Sequence, residues 1–199
     1  MAQRKVKTEV RELRIIAGRW RSRKLLFDAL PGVRPTPDRV RETLFNWLQP
    51  WISGSRCLDL FAGSGVLGFE ALSRGAESVT FVDQQSAVLA RLREQAANLE
   101  ATNITFTGAK ALQWAEMNCK DTDVSRQFDI VFIDPPFNQD MVSAILGAVV
   151  ACCSRSARIY VEAESVLDEE ILPSGWEIEK SKKAGSVFFH LLKRDNLTG

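Results

Sequence analysis

Histidine is nearly absent from this chain: one residue in 199, beside four cysteines and no Cys-x-x-Cys pair. That scarcity excludes the usual zinc sites, which need four nitrogen or sulfur ligands at short spacings, and no metal is expected. Long apolar runs are missing too. No stretch approaches the ~20 residues of a membrane span, and the basic start is not followed by the apolar core of a signal peptide, so a cytoplasmic protein without a membrane partner is expected. The cysteines fit that reading as structural residues: Cys57 in an apolar strand-like run, Cys152 and Cys153 near a helix end, and Cys119 alone in a polar stretch. Internal repeats are absent. With 45% hydrophobic and 26% charged residues, the chain is long enough for one domain with a sizeable core, and nothing in it demands more than a monomer.

Excess charge of one sign is also missing overall, at a formal +1, but the balance is uneven. Residues 1–24 hold nine Lys/Arg and two acids, a balance of +7, and the remainder stands at −6. A basic arm on an acidic body points to an anionic partner, with nucleic acid the first choice. The arm is not merely charged. Leu13 to Trp20 and Arg23 to Phe27 carry apolar residues around Gly18, which predicts a hairpin. Arg19 and Trp20 on it would meet phosphates and a base. Residues 1–30 are therefore read as a basic RNA-contacting extension and residues 31–199 as the catalytic domain.

The most informative tetrapeptide is Asp134-Pro135-Pro136-Phe137, which follows the apolar run 128–133. Two prolines have no N–H to give to a sheet, so the chain must leave it there. A carboxylate and a proline carbonyl at that exit are paired acceptors suited to an –NH2 group, and the Phe137 ring can stack on a flat heterocycle. Upstream, the run 56–61 leads into Gly63, Gly65 and Gly68, a G-x-G-x-x-G opening a helix, and the next strand ends in Asp83, where a ribose-binding acid is expected. The same fingerprint serves a nicotinamide dinucleotide. Asp59, four residues before the first glycine, is awkward beside a pyrophosphate and suits the cationic S-adenosylmethionine. Phe61 and Ser64 lie in the same loop.

Beyond the arm, Thr36 or Asp38 would cap a helix running to about residue 49. Strands are expected near 56–61, 78–83, 103–107, 128–133 and 157–162, helices near 66–74, 85–99, 109–118 and 140–152, and two further strands near 175–181 and 186–193. This alternation predicts an α/β fold, a Rossmann-like, doubly wound, mostly parallel seven-stranded sheet with an antiparallel pair at one edge and an N-terminal β-hairpin. Gly63–Gly68, Asp83, Ala109 and Asp134 then all fall at the carboxyl ends of strands, around one crevice.

The motifs 59–65, Asp83 and 134–137 resemble those of class I methyltransferases that modify exocyclic amines of bases. The segment from Arg34 to Asn46 is similar to the one preceding that core in the RsmD family, bacterial 16S rRNA guanine-N2 methyltransferases. That resemblance implies S-adenosylmethionine as cofactor, a 16S guanine in the small ribosomal subunit as substrate, Asp134, Pro135, Pro136 and Phe137 as the catalytic motif, and Arg34, Thr36 and Arg39 along the crevice or the RNA path. The chain departs from many relatives after its third strand, where Gly108-Ala109-Lys110 supplies no acid for the adenine amine, so backbone groups near Ala109 are expected to hold it. Arg39 and Arg41 read equally as a solvated helix face, His190 as a strand residue, and Glu162 and Glu164 as outside candidates for the site. The competing functions are adenine-N6 methylation of DNA or RNA, a nicotinamide-dependent dehydrogenase, and a non-catalytic RNA-binding assembly factor.

Overall fold

The computed structural model describes residues 9–29, 36–120, 127–136 and 139–195. Two strands, β1 (Val10–Arg14) and β2 (Lys24–Asp28), pair antiparallel. Helix α1 (Asp38–Ile52) follows, and then β3 (Arg56–Asp59), α2 (Val66–Ser73), β4 (Ser78–Asp83), α3 (Ser86–Asn98), β5 (Ile104–Gly108), α4 (Ala111–Asn118), β6 (Phe128–Ile133), α5 (Gln139–Val149), β7 (Cys153–Ala163), β8 (Trp176–Ala184) and β9 (Val187–Arg194). The main sheet has the order β5-β4-β3-β6-β7-β9-β8, parallel from β5 to β7 and antiparallel at β9 and β8. The expected seven-stranded, Rossmann-like sheet and N-terminal hairpin are both present.

Side chains alternate across a strand, and this alternation builds two cores. Cys57, Val79, Phe81, Ile130, Phe132 and Tyr160 face α1, α2, α3 and the hairpin. Leu58, Val82, Val131, Ile133, Ile159 and Val161 face α4 and α5. The same parity puts Asp59, Asp83, Asp134 and Glu162 on the first face, each at or just past the carboxyl end of its strand. The crossing between the α2 and α5 sides falls where β3 meets β4 on one flank and β6 on the other, the position where ligands sit in open α/β sheets.

The hairpin is welded to the body. Ile15, Trp20 and Leu25 belong to the same core as Leu44, Phe69 and Leu92. Glu70, fully buried on α2, accepts the N–H groups of Ile16 (2.7 Å) and Ala17 (3.0 Å). Ser73 accepts from Trp20 N–H (3.0 Å) and donates to the Ala17 carbonyl (2.6 Å). Gly18 is in the left-handed region (φ +81°), and a Cβ there would collide with the Ser73 backbone, so glycine is required for this approach.

Four sequence expectations are corrected. Trp20 is 7% exposed: its indole fills the core, and it has no free face for a base. Arg41, read as part of a solvated face, is fully buried and donates to the Arg14 carbonyl (3.0 Å), the Thr36 carbonyl (3.2 Å) and Asp38 (2.6 Å), with Glu70 3.6 Å away. The N-cap of α1 is Pro37, without a side-chain cap, because the Thr36 hydroxyl is spent elsewhere. The helix also runs through Pro50 to Ile52; a proline near the last turn forfeits a single hydrogen bond there. Cys119, expected as a structural residue within a polar stretch, is buried and bonded to Cys152, tying the end of α4 to the turn after α5. Cys57 and Cys153 are free thiols, and burial pushes both up to about 12.

Candidate active site

The carboxyl ends of β3, β4, β5, β6 and β7 surround a crevice of about 920 Å³, within the range of small-molecule sites. Its walls include the loop 59–64, Asp83, Ala109, Asp134-Pro135-Pro136, Glu162 and Thr36.

The glycine loop has a division of labour. Gly63 takes φ +48° and its N–H donates to Asp83 Oδ2 (3.0 Å). Gly65 takes φ +73° as the residue preceding α2, and a Cβ there would strike Leu92 and Phe69, not the crevice. Its role is the left-handed turn and close packing. A Cβ on Gly68 would strike the Phe81 ring, so this glycine sets the distance between α2 and β4. Ser64 is buried and its hydroxyl faces the Val66 N–H at 3.4 Å, while Phe61 is half-buried against the crevice.

Asp83 is fixed on both oxygens, with Gln85 N–H on Oδ1 (2.8 Å), and it is half-exposed to the crevice. Asp59 is 3% exposed and accepts the Gly68 N–H at 3.3 Å. Burial pushes its carboxyl up to about 7, and the charge of Asp83 adds to the shift against the Gly68 bond. Asp134 stands well above the usual carboxylate range, first from burial, then from the charges of Glu162 and Asp59, with a hydrogen bond from Thr36 opposing. Glu162 is also raised by burial, although two hydroxyls stabilise its anion: Tyr160 (2.8 Å) and Thr36 (2.9 Å) both donate to its Oε1.

Four acids thus line one crevice, and Lys110 is the one cation among the described lining residues. At an effective dielectric of about 20, a unit charge 4 Å away from another is worth roughly 4 kcal/mol, so whichever of these acids is ionised favours a cation over a pyrophosphate, which counts against the dehydrogenase reading. Among the described residues no three metal-ligating side chains converge as a metal would need. The donor set fits S-adenosylmethionine: a sulfonium and an ammonium for Asp59 and its neighbours, a ribose for Asp83, and apolar walls for the base.

Other expected residues separate. Ala109 lines the crevice, but its N–H is committed to the Asp83 carbonyl (3.2 Å); the uncapped start of α4 at Lys110 and Ala111 offers the next donors. Arg39 is exposed and outside the crevice, Arg19 is exposed with its guanidinium 4.0 Å over the Trp20 ring, and Glu164 is exposed. His190 is fully buried in β9, where its Nε2 accepts from Leu167 N–H (3.4 Å). Arg34 and Phe137 lie outside the described residues. The sequence reading underrated Glu162 and missed Tyr160. An acid closing the apolar strand Ile159-Tyr160-Val161 was the available signal, since Asp59, Asp83 and Asp134 hold the same place on their strands.

Sheet order, glycine loop and acidic crevice together define a class I, S-adenosylmethionine-dependent methyltransferase. The family described as Conserved hypothetical protein 95 matches residues 13–193. The ribosomal RNA small subunit methyltransferase D of Escherichia coli K12 is 39% identical, with 92% of this chain and 91% of that protein covered, and that of Haemophilus influenzae is 42% identical, with 90% and 93% covered. A solved structure described as the putative methyltransferase yhhF from Escherichia coli superposes with a TM-score of 0.79 at 39% identity over 92% of this chain and 98% of its own. The chain belongs to the ribosomal RNA small subunit methyltransferase D family.

Proposed function

We propose that this protein transfers a methyl group from S-adenosylmethionine to the exocyclic N2 amine of one guanine in the 16S rRNA of the small ribosomal subunit. The observation that carries the reading is the exit of β6: Asp134 and Pro135 leave the sheet directly into the crevice, on the face that also holds Asp59 and Asp83. Membership of a ribosomal RNA methyltransferase family supports the RNA substrate, and an rRNA substrate is the support for a cytoplasmic enzyme.

Bound S-adenosylmethionine supplies an electrophilic methyl group. Asp83 holds the ribose hydroxyls, Asp59 orients the amino acid portion, Phe61 and Ala109 flank the adenine, and the turn at Gly63–Gly65 with Ser64 shapes the floor, while Gly68 keeps α2 close to the sheet. The target base leaves its stack to bring the amine within reach, and Phe137 is assigned to stack on it. Asp134 and the Pro135 carbonyl accept the two amine hydrogens, with Pro136 stiffening the exit. These bonds favour a pyramidal nitrogen and direct its lone pair toward the methyl carbon. With the cofactor bound, its methyl group would pass to the nitrogen and its sulfur would leave as the neutral thioether, while Asp134 would stabilise the positive charge on nitrogen and take the departing proton. In the free protein Asp134 is held toward its neutral form by burial and by Glu162, and a cation bound in the crevice would oppose that bias and favour the carboxylate. The hairpin meets RNA phosphates through Arg19, presented on the Trp20 ring, and through Arg21 and Arg23. Arg39 is assigned to the RNA path and Arg34 to RNA contact by the family resemblance, and Thr36 supports the site through Glu162. One chain carries the whole site, and a monomer suffices.

The test is methyl transfer from labelled S-adenosylmethionine to small subunits from bacteria lacking this protein, followed by nucleoside analysis. N2-methylguanosine in 16S rRNA is the expected product. Label in N6-methyladenosine moves the target base, and no label on any RNA overturns the reading.

A further inference from the structure

Parallel strands β6 and β7 run in register, with Ile133 opposite Val161. One residue on, Asp134 and Glu162 are therefore neighbours across a strand spacing of about 4.8 Å, on the same face, and both line the crevice. Glu162 is buried to 7% exposure and needs a reason to be there. The mechanism above leaves it without a task.

Its surroundings are unusually specific. Tyr160, two residues back on the same face, and Thr36, from the segment before α1, both donate to Oε1. That leaves the second oxygen of the carboxylate outside their grip, with the anion stabilised on one side only. Tyr160 is itself fully buried and packs against Phe132 and Phe189, so this arrangement is rigid. A rigid acceptor beside the residue that takes an exocyclic amine will meet whatever ring atom adjoins that amine. In guanine the N2 amine is flanked by N1, which carries a hydrogen, and by N3, which carries a lone pair, and a carboxylate beside the amine can pair only on the N1 side. In adenine the neighbour of the N6 amine is an N1 that carries a lone pair. A carboxylate binds the first and repels the second.

We infer that Glu162 is the specificity-determining residue of this enzyme, accepting the N1–H of guanine while Asp134 accepts the N2 amine. Glu162 thereby reads the Watson–Crick edge, Tyr160 and Thr36 position it, and the pair Asp134–Glu162 rejects adenine by charge. The inference rests on the guanine-N2 reading and supplies its physical basis.

The experiment uses small-subunit RNA ligated around a synthetic fragment that bears either guanine or 2-aminopurine at the methylated position, assembled into subunits. 2-Aminopurine keeps the N2 amine, has an unprotonated N1 and lacks O6, so the Glu162 variants are what assign the difference between the two bases to the N1–H contact. The intact enzyme is expected to prefer guanine by about a hundredfold or more in kcat/KM, because a site built to accept an N–H rejects a ring that lacks it. In Glu162→Gln the amide oxygen stays on the two hydroxyl donors and the –NH2 takes the other position, facing N1. The preference then falls to near or below one, chiefly through loss of guanine turnover, while cofactor affinity holds. Tyr160→Phe, which keeps the packing and removes one of the two donors, lowers the preference by roughly three- to tenfold. An unchanged guanine preference in Glu162→Gln, or equal losses on both bases, overturns the inference and leaves the guanine-N2 reading standing. Failure of the intact enzyme to make N2-methylguanosine overturns the reading itself, and the inference with it.

Discussion

Two buried clusters of charge lie within this protein, and they are built on opposite plans. Around Glu70, every charge is answered: Arg41 is 3.6 Å away, Arg74 donates at 2.7 Å, and two backbone N–H groups of the hairpin complete the shell. Around Asp134, the charges repeat: Glu162, Asp59 and Asp83 share the same walls, and Lys110 is the one described cation among them. The first cluster is complete and holds the fold. The second is incomplete among the described residues and suits a cationic ligand. The same residue types are structural where complemented and functional where not. Thr36 joins the two, since its carbonyl accepts from Arg41 and its hydroxyl donates to Glu162.

The largest effect should come from breaking the complete cluster. Glu70→Ala frees the two hairpin amides and Arg74 and leaves Arg41 with Asp38 as its one described acid, and a loss of about 3–5 kcal/mol is expected, measured by denaturant unfolding with proteolysis of the hairpin as a second readout. If stability barely changes, the knot is not what welds the hairpin to the body.

Breaking the incomplete cluster should spare the fold and stop the chemistry. Asp134→Ala should lower single-turnover methyl transfer by about 10²–10³-fold or more, with cofactor affinity by calorimetry close to that of the parent. Parental turnover would sink the mechanism.

The third contrast is pH. Asp59, Asp134 and Glu162 are all raised in the folded state. The folded protein then holds protons that the unfolded chain releases, so this contribution is fully present at low pH and is lost as pH rises from about 3.8, the ordinary value of Asp59, through about 7, its folded value. Melts of the cofactor-free protein should show a loss on the order of 4 kcal/mol from Asp59 across that interval. S-adenosylmethionine should bind more tightly at the upper end, and Asp59→Asn should flatten the slope. His190, depressed by burial, acts with the other sign, losing stability as pH falls below its ordinary 6.5.

The smallest effects belong to the surface. Arg19→Gln and Arg21→Gln should weaken binding to small subunits severalfold and each reduce the salt dependence by about one unit of slope, with stability unchanged. Trp20→Phe should act through the core instead, lowering stability, because its ring is buried.

The sheet, the glycine loop and the acids at the strand ends were legible in the sequence because each depends on short-range pattern: alternation over six residues, glycines at fixed offsets, prolines that end a strand. The hairpin was legible too, from Gly18 between two apolar-polar runs. Arg41 and Trp20 were misread for the same reason. Residues 9–24 and 36–41 alternate charge with apolar groups, and charge normally faces water. Neither residue's local sequence shows Glu70 or Ser73, which lie 29 residues from Arg41 and 53 from Trp20 along the chain. Arg39 and Arg41 differ by two positions on one helix, and only packing against α2 makes one exposed and the other buried.

What the sequence by itself determined is the kind of site: a strand-turn-helix with glycines where no Cβ fits, carboxylates where strands end, and an acceptor pair where prolines force the chain out of the sheet. Those are consequences of backbone stereochemistry, which acts between neighbours in the chain. Only the tertiary structure decided which charges are answered. Register between β6 and β7 put Glu162 beside Asp134, and the docking of the hairpin brought Glu70 two amides and Arg41. Whether a buried charge is neutralised depends on what stands within a few ångströms of it, and residues that close in space are set by the fold, not by their distance along the chain.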